Sequence, residues 1–186
     1  VEAAVTAASA LQIPVMPRGG GSSLAGQTVN DALVIDFTPH LHRLVEFFEE
    51  GRVCVEPGVT LAVLNRYLAP KGWMVGPDPA SGSRATIGGM MANNSTGTHS
   101  ILYGNMIRHV HAARTVLSNG SVATFSEVDR AVWAERAKGT GLESRLYAEL
   151  GKLAVDGQRA ISEDMPAHWR RCNGYRLEEL LPDARN

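Results

Sequence analysis

The chain has 186 residues, 44% of them hydrophobic, so it is long enough and apolar enough to bury a real core as one domain or two small lobes. Lysine and arginine total 18 against 19 acidic residues, a net charge of −1 with both signs interspersed, which leaves no electrostatic footprint for nucleic acid. No apolar stretch approaches the 18 or so residues of a membrane span. Cys54 and Cys172 stand apart without Cys-x-x-Cys spacing, which disfavours a disulfide and excludes an iron–sulfur cluster within this segment. With no secretory leader visible, a reducing cytoplasmic setting is the default, at most peripheral to the inner membrane.

The alanine-rich residues 1–11 read as a helix. Strand-like runs follow at 13–17 and 32–37. Between them lies Pro17-Arg18-Gly19-Gly20-Gly21-Ser22-Ser23-Leu24-Ala25-Gly26, a glycine loop flanked by two strand candidates. Residues 43–48 and 52–56 read as a hairpin around Glu49-Glu50-Gly51. Thr60 starts a helix with apolar residues at Leu61, Leu64 and Leu68, ended before Pro70. Gly76 to Arg84 is turn-rich and runs into Ala85 to Gly97, where Thr86 suits a helix start. Residues 109–117 and 121–125 flank Asn119-Gly120, a two-residue hairpin turn. Ser126 is placed to cap a charged helix over 127–138, and an amphipathic helix covers about 142–161. Strand pairs first and helices after them fit an α+β layout.

The two glycine segments carry the chemistry. Glycine lets the chain enter φ > 0 and lets a ligand approach the backbone. Successive N–H groups in such a loop can converge on an anion, for which a pyrophosphate is the obvious guest. The same glycines also suit a plain turn. Gly-x-Gly-x-x-Gly is absent in every register, which removes the Rossmann fingerprint. Gly21 to Thr28 comes within one residue of a P-loop, but Gln27 stands where the lysine belongs and no amphipathic helix follows. In the second segment, Gly88 and Gly89 cost a helix roughly 1 kcal/mol each against alanine. A short buried helix accounts for Ile87, Met90 and Met91 but not for that glycine pair.

Arg18-Gly19-Gly20-Gly21-Ser22-Ser23 and Ala85-Thr86-Ile87-Gly88-Gly89, at this separation, resemble the FAD-binding domain of the vanillyl-alcohol-oxidase/p-cresol-methylhydroxylase type. Pro77-Asp78-Pro79, Asn93-Asn94-Ser95 and Ser100-Ile101-Leu102-Tyr103-Gly104 look most like bacterial FAD-linked dehydrogenases of D-2-hydroxy acids. These include the glycolate oxidase flavin subunit, D-lactate dehydrogenase and D-2-hydroxyglutarate dehydrogenase, in long forms with an iron–sulfur domain downstream. The likeness runs from about Val1 to Asn186.

The resemblance implies a two-lobed α+β domain, a small N-terminal α/β lobe over about 1–57 and a larger sheet lobe flanked by helices over about 58–186. It implies that Pro17, Arg18, Gly19, Gly20, Gly21, Ser22 and Ser23 wrap the FAD pyrophosphate. Asp78, Pro79, Thr86, Gly88 and Gly89 would line the other side, and Asn93, Asn94, Ser95 and Thr96 would contact the cofactor at the end of the short helix. Some relatives bond the flavin through a histidine after the glycines; Ser22 holds that place here, so the flavin is expected to be non-covalent. Gly174-Tyr175-Arg176-Leu177 matches a family segment that leads into a further flavin-contacting stretch, Gly-Ser-Glu-Gly-Thr, which this chain lacks. The chain is therefore expected to be a fragment, inactive alone, with the substrate domain, catalytic base and metal-binding histidines beyond residue 186. No catalytic residue and no metal is assigned within it, and the electron acceptor is left open. A different flavoenzyme of this fold, an aryl-alcohol oxidase or a cell-wall precursor reductase, is an alternative, as is a non-catalytic interaction module.

The histidines read more plainly. His40 and His42 sit two apart without a third ligand, as turn residues do. His109 and His111 alternate on the expected strand and so share a polar face. His99, just past the cofactor segment, is open to a loop role or to proximity to flavin or substrate. Trp169-Arg170-Arg171 is a basic-aromatic cluster read as a solvated turn, with a partner contact as the alternative.

Overall fold

In the computed structural model, which describes residues 1–171 and 174–181, the alanine-rich start forms α1 (Glu2–Ala10). Cys172, and with it any Cys54–Cys172 pairing, lies outside the described residues; Cys54 is exposed. The packing divides into two units. One is Ala8–Val110; the other combines Val1–Ala7 with the chain from His111 onward.

Within Ala8–Val110, β1 (Val15–Arg18) pairs with β2 (Leu33–Asp36) in parallel, with Val15 opposite Leu33 and Arg18 opposite Asp36. Parallel neighbours need a crossover of about a dozen residues or more. The glycine loop is that crossover, built without a helix. The expected hairpin forms as β3 (Leu44–Phe47) and β4 (Val53–Val55), antiparallel, with Gly51 in the left-handed region at φ +84°. A Cβ there would stand 2.6 Å from the Trp73 ring, so the indole lies directly on the turn. At the base of the hairpin, Arg43 Nη2 donates to Glu56 Oε1 at 2.7 Å. That bond, with the Arg43 backbone N–H, holds the Glu56 carboxyl below the usual carboxylate range.

α2 (Leu61–Leu68) carries the core. Leu61, Leu64 and Leu68 are buried, and their spacing of three and then four residues puts them on one face. Leu64 and Leu68 join Val59 against Leu44, Phe47, Val53 and Val55 of the hairpin. Leu61 joins Ala85, Met90 and Met106 in a second cluster. The helix stops at Leu68 and passes into a 3-10 turn, Ala69–Lys71, whose second residue is Pro70, which cannot continue the α-helical bonding. α3 (Ile87–Ala92) starts opposite α2: Thr60 and Thr86, the two N-caps, face each other in an antiparallel bridge. Leu61 N–H donates to Ala85 O at 3.0 Å and Ile87 N–H to Val59 O at 2.8 Å. α4 (Ser100–Tyr103) and a 3-10 turn (Met106–His109) complete this unit.

In the other unit, β5 (Ala112–Val116) and β6 (Val122–Ser126) pair antiparallel. The strand expected from residue 109 begins later, because Met106–His109 coils. His109 Nε2 is bonded to Tyr103 O at 3.0 Å, so His109 and His111 do not share a strand face. The two-residue turn expected at Asn119-Gly120 is a three-residue loop. Leu117 N–H donates to Ser121 O and Gly120 N–H to Leu117 O, both at 2.8 Å, with Gly120 at φ +84°. That is a type I turn closed by a left-handed glycine.

Ser126 ends β6 and does not cap a helix. α5 (Arg130–Arg136) is capped by Asp129, whose Oδ1 accepts from Val132 N–H at 2.8 Å. The long helix expected over 142–161 is two, α6 (Leu142–Asp156) and α7 (Gln158–Asp164), broken at Gly157. Tyr147 of α6 is 4% exposed and anchors this unit. Trp133 meets its ring edge-on at 4.9 Å, and Arg136 Nη1 donates to its hydroxyl at 2.7 Å. A Cβ at Gly151, in mid-helix, would lie 3.1 Å from Trp133 Nε1, which accounts for that glycine.

The solvated turn expected at Trp169-Arg170-Arg171 holds for Trp169, 46% exposed, but not for Arg171. The Arg171 side chain is 10% exposed and bonds Glu178 and Pro166 O. Burial pushes the Glu178 carboxyl up, but its own backbone N–H, Arg176 and Arg171 outweigh that and bring it below the usual range. No helix among the described residues is long and apolar enough to cross a membrane.

Candidate cofactor site

The triple glycine and the segment before α3, some 65 residues apart in sequence, press against each other. A Cβ on Gly19 would stand 2.2 Å from Thr86 Oγ1, and one on Gly20 would stand 2.0 Å from the Arg84 carbonyl oxygen. These two glycines therefore exist first for the contact between loop and segment, not for a ligand. Gly21 is needed for another reason, its left-handed φ of +63°. Arg18 folds back over it, its guanidinium 3.1 Å from where a Gly21 Cβ would be.

The loop is rich in free donors. Among the described residues, no acceptor meets the backbone N–H groups of Gly19, Gly20, Gly21, Ser22 or Ser23. Ser23 Oγ is bonded to Gln27 Oε1, and Gly20, Ser22 and Ser23 are exposed. Consecutive unpaired amides beside a guanidinium are groups that suit an anion. Across the strand pair, the Thr38 backbone N–H and hydroxyl both donate to Asp36 and hold its carboxyl below the usual range, with a smaller contribution from Arg18.

The start of α3 offers no such donors. Ile87 N–H goes to Val59 O, Gly88 N–H to Pro57 O at 2.9 Å, and Gly89 N–H to Thr86 Oγ1 at 3.3 Å. Thr86 is 1% exposed, buried as a cap. Any anion at this site is therefore held by the loop and not by the helix. The glycine pair now separates. A Cβ on Gly88 would run into Pro57 at 2.6 Å, so packing explains Gly88. Gly89 is exposed, and the only atom near its Cβ position is Thr86 Oγ1 at 3.2 Å. Only the Thr86 hydroxyl constrains Gly89, and no backbone atom does.

At its far end α3 closes with Asn94 at φ +45°. Asn94 N–H bonds Met91 O at 3.1 Å and Ser95 N–H bonds Met90 O at 2.9 Å, the pattern of a left-handed helix stop. Asn94 Oδ1 accepts from Ile107 N–H at 3.0 Å, and Ser95 O accepts from Met106 N–H at 3.0 Å. Asn93 is exposed; Asn94, Ser95 and Thr96 are half-buried. The stretch then docks on Asp78 and Pro79. A Cβ on Gly97 would stand 1.9 Å from the Asp78 carbonyl, and Thr98 N–H donates to Asp78 O at 3.1 Å. Asp78 is exposed and Pro79 half-buried. The candidate residues thus form one strip, with Pro17–Ser23 and Thr86–Gly89 at one end and Asn93–Thr96 with Asp78 and Pro79 at the other.

Sequence reasoning missed the parts of the frame that act through backbone alone, such as the Arg84 carbonyl and Pro57. His40 and His42 stay in an exposed turn, His42 bonded to Thr38 O. Among the described residues, no group of three metal-ligating side chains comes together.

Residues 1–126 match a sequence family described as FAD binding domain. D-2-hydroxyglutarate dehydrogenase of Pantoea ananatis is 33% identical over 168 residues, 90% of this chain and 16% of that protein. Mitochondrial D-lactate dehydrogenase [cytochrome] 1 of Saccharomyces cerevisiae is 33% identical over 148 residues, 77% of this chain and 24% of that protein. The chain thus spans a quarter or less of the length of these two relatives. Among solved structures, carbohydrate oxidase from Microdochium nivale superposes with a TM-score of 0.63 at 23% identity, over 75% of this chain and 31% of that one. At that identity the likeness speaks for the fold.

Proposed function

Because the chain belongs to the FAD binding domain family, we propose that its loop Pro17–Ser23 holds the pyrophosphate of FAD and that Gly89 marks where the cofactor passes closest to α3. The observation that carries the placement is the contrast among glycines. A Cβ on Gly19, Gly20, Gly88 or Gly97 would stand 2.6 Å or less from protein, while Gly89 is exposed and its Cβ would meet only the Thr86 hydroxyl, at 3.2 Å. The free amides of Gly19 to Ser23 fit a pyrophosphate, and Arg18 adds a cation beside them. Asp78, Pro79 and Asn93 to Thr96 line the continuation of the strip. Ser22 has no imidazole to bond the flavin, so the cofactor is held non-covalently.

The Gly89→Ala variant tests the placement. Alanine in a helix is favoured over glycine by roughly 1 kcal/mol, so its stability should equal or exceed wild type. FAD affinity, read by quenching of flavin fluorescence, should fall about tenfold, ~1.4 kcal/mol. Unchanged affinity would remove Gly89 from the site. Acid precipitation of the loaded protein should leave the yellow colour in the supernatant; colour retained in the pellet would refute non-covalent binding.

The reaction proposed is oxidation of a D-2-hydroxy acid to its 2-oxo acid, a reading supported by the relatives named above. Bound FAD supplies the acceptor for the hydride that leaves C2, which is the cofactor's own chemistry. What this chain contributes is binding and orientation: amides on the pyrophosphate, a smooth glycine face on α3, and a polar stop at its end. Under exclusion of oxygen, flavin in a protein that carries this domain at the full length of such relatives should bleach with D-2-hydroxyglutarate, D-lactate or glycolate, and not with the L-forms of the first two. Failure with all three would leave the cofactor proposal standing and remove the substrate class.

A further inference from the structure

His99 stands beside the cofactor strip in an arrangement that packing alone does not call for. Its Nδ1 lies 3.5 Å from Asp78 Oδ2. Both side chains are about half exposed, yet their backbones are locked together, with Gly97 flat against the Asp78 carbonyl and Thr98 N–H bonded to it. The ring of Tyr103 meets the His99 ring edge-on at 6.5 Å. Tyr103 is itself fixed, with Gly76 against its Cβ and its carbonyl bonded to His109. His99 opens onto a depression of about 250 Å³ whose other walls are Met74, Thr98, Ile101, Leu102 and Tyr103. The imidazole is the one basic group in that lining.

In the neutral ring, a carboxylate beside Nδ1 favours the tautomer with its proton on that nitrogen, which leaves Nε2 as the acceptor. Among the described residues, nothing donates to His99 Nε2. We infer that His99 is a further cofactor contact, its Nε2 turned outward by Asp78 to accept a hydrogen bond from a hydroxyl or N–H of bound FAD. This rests on the FAD reading above. Asp78 then acts through His99, as the group that orients it. The apolar walls, with Ile101 and Leu102 strongly exposed, supply an apolar surface for the part of the cofactor that the hydrogen bond holds in place.

The test uses the whole 186-residue chain with 15N-labelled histidine and FAD as the probe, the His99 signals being assigned by their loss in His99→Gln. Adding FAD should shift the His99 ring nitrogens and leave those of His40, out in its exposed turn, in place. His99→Leu should weaken FAD binding about fivefold, the worth of one lost hydrogen bond. His99→Gln, whose amide oxygen still accepts, should recover most of it; a purely structural role would not separate the two variants this way. If FAD binds and the His99 signals stay where they were, the inference is overturned and the FAD reading survives. If folded wild-type chain takes up no FAD at all, both fall.

Discussion

The Gly20→Val variant should purify without flavin and unfold at lower denaturant, about 3 kcal/mol less stable than wild type. The reason lies in the protein before it lies in the ligand. A Cβ at position 20 would stand 2.0 Å from the Arg84 oxygen and 2.9 Å from the Arg84 carbon. Both are backbone atoms, held by the bonds of Leu61 to Ala85 O and of Ile87 to Val59 O, so they cannot swing aside. The loop must lift off the segment, and the run of amides from Gly19 to Ser23 loses its shape. Urea midpoints and flavin absorbance, measured together, check both halves. A variant with wild-type stability and full flavin would overturn the contact between loop and segment.

Gly97→Ala should have a comparable effect at the other end of the strip. The added methyl would stand 1.9 Å from both the carbon and the oxygen of the Asp78 carbonyl, again backbone. Gly97 is also tied forward, its N–H to Ser100 Oγ at 3.0 Å and its carbonyl to Ser100 N–H at 3.1 Å. It cannot retreat without unwinding the start of α4. A loss of about 3 kcal/mol is expected, together with loss of the His99–Asp78 pair and of flavin. Gly89→Ala is the matched control, since it adds the same methyl where no backbone stands in the way. If Gly97→Ala melted with wild-type cooperativity at the wild-type midpoint, the docking of 97–98 on Asp78 would be wrong.

Much of the site was legible in the residues. The capping threonine at 86, the hairpin about Gly51 and the apolar face of Leu61, Leu64 and Leu68 all follow from local rules of capping, turn chemistry and period. The glycines were legible as a need for closeness, but not closeness to what. For Gly19, Gly20, Gly88 and Gly97 the neighbour is protein, tens of residues away in sequence for all but Gly97, and no local rule reports such a partner. The misplaced boundaries at Ser126 and 142–161 have a simpler cause. Asp129 and not Ser126 caps α5, because Ser126 is still the last residue of β6, paired with Ala112. Gly157 breaks a periodicity that the apolar pattern alone carries through. The late start of β5 reflects the bond from His109 to Tyr103, which periodicity cannot see.

The bridge between Thr60 and Thr86 also sets an order in time. The glycine loop leaves the ribosome about 64 residues before the Arg84 carbonyl it leans on. At roughly 5–20 residues per second, that is a wait of about 3–13 s. During that interval Gly19 and Gly20 have no support, and the amides beside them have no fixed direction. On the proposed placement, capture of the cofactor follows the synthesis of α3, and a loop made early in its unit takes its shape late.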